Sequence, residues 1–519
     1  MIPDNEIQKL KEALKKRNEE YAEIVMSFLQ KNDVLSEQDL INLQDRNFCR
    51  QQLYMDYATL KEIPEGYTNI NQYIKDNSGY NRYYSSVYKI KSKNFVMTSQ
   101  LYGLVESKTH KNNRTPFVAY ILDKIGVDYK EIINVPEKKE DARMSMEKEK
   151  IEQIKQYISC EGFTYKNELI ENLYLSLKAK PFVILAGTSG TGKSKLAKLF
   201  AESIKAEYKL VPVRPDWSDS SDLFGHLDLE GKFIPGAITD FIAKANDDLS
   251  KPYILCLDEM NLARVEYYLS DYLSVIETRH VQDGKIITDP VLTKESFGKD
   301  TVSFEKYGEL SIPENLYIIG TVNMDETTFP FSKKVLDRAN TIEFSNVDLT
   351  FPDFDPSASE APLDNIKNDF IKSKYLILKD CLSHKSELDP ICAELEKINQ
   401  ILAEANLHVG YRVRDEIIFY ISNNLIEQLI DGNKALDNAI MQKILPRIQG
   451  SSNAVKGMLF DLFKYCLGNA SGIQVEQDSG SESLFSILEK NTATYEESAK
   501  KVAFMIRRFE EDGFTSFWL

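Results

Sequence analysis

No C-x-x-C pair occurs anywhere in this chain, whose six cysteines (Cys49, Cys160, Cys256, Cys381, Cys392 and Cys466) are widely scattered. That spacing argues against a zinc site and a disulfide framework, and fits free thiols in a reducing compartment. The five histidines are just as dispersed, which speaks against a histidine metal cluster. No apolar run approaches the length of a membrane span, and the opening "MIPDNEIQKLKEALKK" is charged rather than signal-like. Positive charge is in deficit: 64 Lys and Arg against 80 Asp and Glu leave a net charge of −16. The surface as a whole therefore cannot coat nucleic acid or an anionic membrane. Together these absences lead to the expectation of a soluble cytoplasmic protein with no membrane partner.

What is present is an ordinary globular composition, 42% hydrophobic and 28% charged over 519 residues. Such a length accommodates roughly two to four domains. Residues 5–31 carry Ile7, Leu10, Leu14, Tyr21, Ile24 and Phe28 near helical spacing, which predicts one amphipathic helix. From about 65 to 125 come β-prone runs, "SSVYKI", "NFVMTSQLYGLV" and "PFVAYIL", so residues 1–135 read as a mixed α+β domain. The charge-dense "PEKKEDARMSMEKEKIEQ" marks 136–164 as a solvated helical linker. Strand and helix patterns then alternate through 165–350, which implies a parallel sheet covered by helices on both faces. Residues 351–519 read as helical.

The first apolar strand, "PFVILA", runs directly into "GTSGTGKS", residues 187–194, and a helical pattern follows. Gly187, Thr188, Ser189, Gly190, Thr191, Gly192, Lys193 and Ser194 fit a phosphate-binding loop, in which glycines let backbone N–H groups close around phosphate oxygens. Lys193 would reach the β and γ phosphates, and the Ser194 hydroxyl would bind Mg²⁺. The strand "YILCLDE" places Asp258 and Glu259 at its carboxyl end, the edge where open α/β sheets hold ligands. Asp258 is the second metal candidate, and Glu259 the candidate base for the attacking water. A third strand, "LYIIGTVN", ends in Asn323, an amide able to bind the γ-phosphate or orient that water without adding charge. In "KKVLDRANTIEF", Arg338 precedes another strand, where it could reach a neighbouring subunit's phosphate or simply pair with Asp337.

These landmarks, followed by a helical segment with "GYRVRDE", resemble an AAA+ ATPase core and its α-helical lid. Residues 213–226, 258–279 and 318–339, with "QKILPRIQG" and the tail "ESAKKVAFMIRRFEEDGFTSFWL", are similar to the McrB family, the NTPase subunits of McrBC-type modification-dependent restriction systems. The resemblance covers about 165–519. It implies a hexameric ring with Arg338 acting across the subunit boundary, and Arg412 or Arg414 of the lid sensing the phosphates. It also implies Mg²⁺ with GTP or ATP as substrate, and a separate McrC-like nuclease as partner. Where some family members carry a "MNTAD"-like element, this chain has "VNMDETT": Asn323 is kept, but Glu326 stands in place of the aspartate. GTP against ATP therefore stays open.

Between Tyr67 and Tyr120 the charge reverses to a local +6, with interleaved tyrosines including Tyr83, Tyr84 and Tyr88. Cations for phosphates and aromatic faces for bases make a nucleic-acid surface, with Arg82, Lys89, Lys91, Lys93, Lys111 and Arg114 as candidate contacts. The competing reading is a β-rich domain with half-buried tyrosines and a solvated basic face. An in-chain nuclease triplet, Asp128, Glu137 and Lys139, has short spacing and is of a kind that chance supplies in so charged a chain. Two functions follow: a motor that binds DNA through 1–135 and drives a nuclease in phage defence, or a chaperone-like remodelling ATPase whose amino-terminal domain grips protein clients.

Overall fold

The computed structural model describes the chain apart from residues 1, 54, 56, 77–79, 103–112, 126, 128–138, 325–328, 345–360, 365, 469–479, 491 and 519. The chain forms two compact units, Met1–Ala142 and Arg143–Leu519. Lys111, Asp128, Glu137 and Glu326 lie outside the described residues.

In the first unit the expected single helix over 5–31 is divided. Asp4–Glu12 and Asn18–Asn32 are α-helical, with a 3₁₀ turn Ala13–Lys15 and two extended residues, Lys16 and Arg17, between them. The break has a chemical partner: Arg114 donates through Nη2 to the carbonyls of Ala13 (2.7 Å) and Leu14 (2.9 Å), which a continuous helix would have used itself. Strands β1 (Leu60–Ile63), β2 (Tyr88–Ile90) and β3 (Lys93–Met97) form an antiparallel sheet in the order β1-β3-β2. "PFVAYIL", read as β-prone, is instead the middle of the helix Arg114–Lys124. Its Phe117, Val118, Ile121 and Leu122 are buried with Tyr21, Val25 and Phe95. Tertiary burial overrides β propensity here, and Pro116 is tolerated because it stands in the first helical turn.

The second unit is built on β4 (Phe182–Gly187), β5 (Glu207–Pro212), β6 (Tyr253–Asp258), β7 (Leu316–Asn323) and β8 (Asn340–Glu343). All pair in parallel, in the order β8-β4-β7-β6-β5. Alternate residues feed two cores: Val183, Leu185, Cys256 and Ile319 on one face, Ile184, Leu255, Leu257 and Ile318 on the other. Helices cover both faces, which is why β4, β6 and β7 read as apolar runs. The charge-dense helix Lys139–Cys160 is not solvated throughout, since Ile151, Ile154, Tyr157 and Ile158 are buried in the first of those cores. Beyond β8 the described chain is mainly helical, including Lys385–Ala403, Tyr411–Glu427, Asn453–Leu467 and Glu496–Asp512. Among the described residues no helix is long and apolar enough to cross a membrane.

Candidate nucleotide site

β4 delivers the chain to Gly187 at the carboxyl edge of the sheet. A Cβ on Gly187 would stand 2.5 Å from the Phe344 carbonyl oxygen, so only glycine fits beside the end of β8. Gly190 and Gly192 have φ of +80° and +87°, the left-handed backbone that turns the loop back on itself. The helix Lys193–Ser203 then begins with no side-chain cap. Its first N–H groups are the donors that a phosphate takes up. Lys193 is buried within the loop, its Nζ donating to the carbonyls of Gly187 (3.0 Å) and Thr188 (2.6 Å) and to Thr191 Oγ1 (3.4 Å). Burial pushes the ammonium below the usual lysine range, while Asp258 and Glu259 work in the opposite direction. Beneath the loop, Tyr165 Oη donates to the Gly192 carbonyl at 3.0 Å. Sequence patterning did not point to Tyr165, which lies outside every strand and helix run.

The tips of β6 and β7 meet this loop. Register sets Asn323 of β7 beside Gly187 of β4. Ser194 Oγ donates to Asp258 Oδ1, and Thr321 Oγ1 donates to the same oxygen at 2.7 Å. Thr321 also accepts from the Glu259 N–H at 3.0 Å, tying both acids to β7. Thr321 was missed from sequence, although it stands two residues before Asn323 in one strand, where the pleat turns both to the same face. Glu259 has φ +51°, a left-handed turn that lifts its side chain off the strand. Asn323 Nδ2 donates to Glu259 Oε1 at 2.9 Å. Asn261 closes the arrangement: its Nδ2 donates to the Asn323 main-chain carbonyl at 3.1 Å, and its own main-chain carbonyl accepts from the Phe329 N–H at 3.0 Å. Gly320 makes room for the turn, since a Cβ there would lie 2.0 Å from Met260 Sδ.

The donor set suits a hard cation: the Ser194 hydroxyl and an Asp258 carboxylate oxygen already share one point beside a lysine and a helix N-terminus. Ser194 and Asp258 would hold Mg²⁺, which when bound offsets charge on the β and γ phosphates. Glu259, held by Asn323 at the same edge, is placed to polarise a water.

The three arginines lie elsewhere. Arg338 stands two residues before β8, and its Nε approaches Glu277 Oε1 at 3.5 Å. Arg412 Nε is 2.8 Å from Glu277 Oε2. Glu277 in turn is 3.3 Å from Lys180, which stands just before β4. This group therefore occupies the amino edge of the sheet, roughly 20 Å from the phosphate loop at the strand rise of about 3.3 Å per residue. Arg412, read as a lid residue sensing the phosphates, stands at this edge and not beside the phosphate loop of its own chain. Arg414 pairs with Asp415 and covers the Tyr411 ring. Asp337, the alternative partner read for Arg338, pairs with Arg447 at 3.2 Å.

In the first unit the basic stretch is partly answered by acids, three of them from outside it. Lys91 meets Asp33 at 3.1 Å, Lys93 meets Glu62 at 3.0 Å, Lys89 meets Glu65 at 3.9 Å, and Arg82 meets Asp76 at 2.7 Å. The lysine pairs are at least partly solvated, and such pairs are worth about 0–1 kcal/mol each, so a polyanion can displace them. Arg114, expected among the nucleic-acid contacts, is instead a structural residue. It is 5% exposed, bound to helix-end carbonyls and stacked on Tyr21, with no face to offer a phosphate. Arg114→Ala should destabilise the first unit by about 2–3 kcal/mol, read as a fall in the melting temperature of that unit. Burial raises Tyr84 and Tyr88 and pushes Tyr83 up to about 12, the mark of half-buried rings.

Residues 182–339 match the AAA domain of the dynein-related subfamily, and residues 360–514 match a domain of unknown function, DUF8727. No curated protein matches the chain. A solved structure described as a "putative ATPase" from Cytophaga hutchinsonii aligns with a TM-score of 0.37 at 12% identity, over 59% of this chain and 89% of its own.

Proposed function

We propose that this chain, a P-loop nucleoside triphosphatase of AAA+ type, is the motor subunit of a McrBC-like restriction system that acts on DNA in defence against phage. The observation that carries the enzymatic part is the closed set of contacts linking Ser194, Asp258, Thr321, Glu259 and Asn323 around the Lys193 loop. Lys193 and the loop N–H groups bind the triphosphate of GTP or ATP. Glu259 takes the proton of the attacking water, and Asn323 keeps its carboxylate aimed.

The amino-edge position of Arg338 supports a ring, hexameric by resemblance, in which each arginine serves the next subunit's site. The similarity of residues 213–226, 258–279 and 318–339 to McrB sequences supports the restriction role, with a McrC-like nuclease as the driven partner. DNA is the substrate polymer of this reading. Arg82, Lys89, Lys91 and Lys93 are the described cations that would meet it.

The test is duplex binding by the full chain, modified and unmodified, across 50–200 mM salt. About four phosphate contacts predict a log–log slope of about −3 to −4. Alanine at Lys89, Lys91 and Lys93 should flatten it by about one unit for each phosphate-binding cation removed. A chain that hydrolyses nucleotide yet has no DNA affinity at low salt would instead be a remodelling ATPase that grips protein clients.

A further inference from the structure

Glu277 sits at the amino edge of the second unit, where cations from three separate parts of the chain converge on one carboxylate. Lys180 comes from the turn into β4, Arg338 from the turn into β8, and Arg412 from the first turn of the helix Tyr411–Glu427. The two arginines take opposite oxygens, Arg338 facing Oε1 and Arg412 facing Oε2. Arg338 is also fixed through Nη1, which donates to the Lys334 carbonyl at 2.8 Å, so the carboxylate supplies the charge that lets the two guanidiniums stand together. Lys180 does not depend on it, having Glu416 Oε1 at 2.9 Å as well. Lys443 also binds Glu416, so four cations stand against two carboxylates and the group is net positive. Both arginine side chains reach solvent, Arg412 at 39% and Arg338 at 17% exposure. A pair of adjacent, partly solvated guanidiniums matches the oxygens of a polyphosphate. The phosphates of the chain's own site lie at the other end of the strands.

We infer that Glu277 is a positioning residue. It holds Arg338 and Arg412 side by side so that both, rather than Arg338 alone, meet the phosphates bound by a second copy of this chain. The inference rests on the reading of Arg338 as acting across the subunit boundary.

The test uses the full chain, with turnover at saturating ATP or GTP, fluorescent-nucleotide affinity and melting temperature measured together. Glu277→Gln keeps the size and removes the charge. It should leave nucleotide Kd within about threefold and melting nearly unchanged, while kcat falls on the order of tenfold to a hundredfold. Arg412→Ala should show the same split, and Glu277→Asp should recover part of the loss. Mixing Glu277→Gln with Glu259→Gln subunits should raise turnover above either alone, because some intact sites then receive an intact arginine pair. Full kcat in Glu277→Gln would overturn the inference. So would a loss that mixing fails to repair while the Arg338→Ala mixture is repaired, since Glu277 would then act within its own subunit. If neither mixture is repaired, the cross-boundary reading of Arg338 falls and takes this inference with it.

Discussion

Glu259→Gln should bind nucleotide with near-native affinity and hydrolyse it at about a hundredth to a ten-thousandth of the normal rate, the range expected when a general base is removed. The amide is the same size and can still accept from Asn323 Nδ2, which now donates to Glu259 Oε1 at 2.9 Å. The left-handed turn at residue 259 is fixed by the Thr321 contact to its N–H, which the substitution leaves in place. The loss should therefore fall on kcat and leave Kd alone, as for an interaction made only in the transition state. Single-turnover hydrolysis beside equilibrium binding separates the two. Asn323→Ala should cost less, because it frees the carboxylate without removing it. Normal turnover in Glu259→Gln would take the role of base away from this residue.

Arg338→Ala should also bind nucleotide and turn it over poorly, with a fall on the order of a thousandfold, the lower end of what an arginine finger supplies. The geometry leaves little room for an effect within one chain. Arg338 lies beside Glu277 and Lys180 at the amino edge of the sheet, with the length of β4 between it and Gly187. Mixing Arg338→Ala with Glu259→Gln subunits should restore activity where an intact arginine faces an intact base. Unchanged turnover in the single variant would reduce Arg338 to an ion-pair partner of Glu277.

Much of this site was legible in the chain because its chemistry is local. "GTSGTGKS" follows an apolar strand by direct succession, and the acids of "YILCLDE" and the amide of "LYIIGTVN" stand at strand ends. Covalent spacing and a buried parallel strand suffice to put such residues at one edge, which is why Lys193, Ser194, Asp258, Glu259 and Asn323 meet as expected. Thr321, Tyr165 and Asn261 entered only with the fold, since each acts through a hydrogen bond to a group far along the chain or in another strand.

Charge was the least legible property. A count along residues 67–120 gives +6, yet Lys89, Lys91 and Lys93 find Glu65, Asp33 and Glu62 outside that window. Arg114 leaves the surface altogether to bind two carbonyls about a hundred residues away. Linear charge says nothing of which acids the fold brings within 4 Å, because Coulomb energy depends on distance in space and on the dielectric there.

By itself the sequence determined the order of apolar strands and the residues that their ends must carry, hence a P-loop site on a parallel sheet. The tertiary structure alone decided that Arg412 stands with Arg338 on Glu277, at the opposite edge of the sheet from the nucleotide loop. Strand periodicity sets which residues share an edge, but only the packing of the helical segment against the core sets which edge a distant arginine reaches.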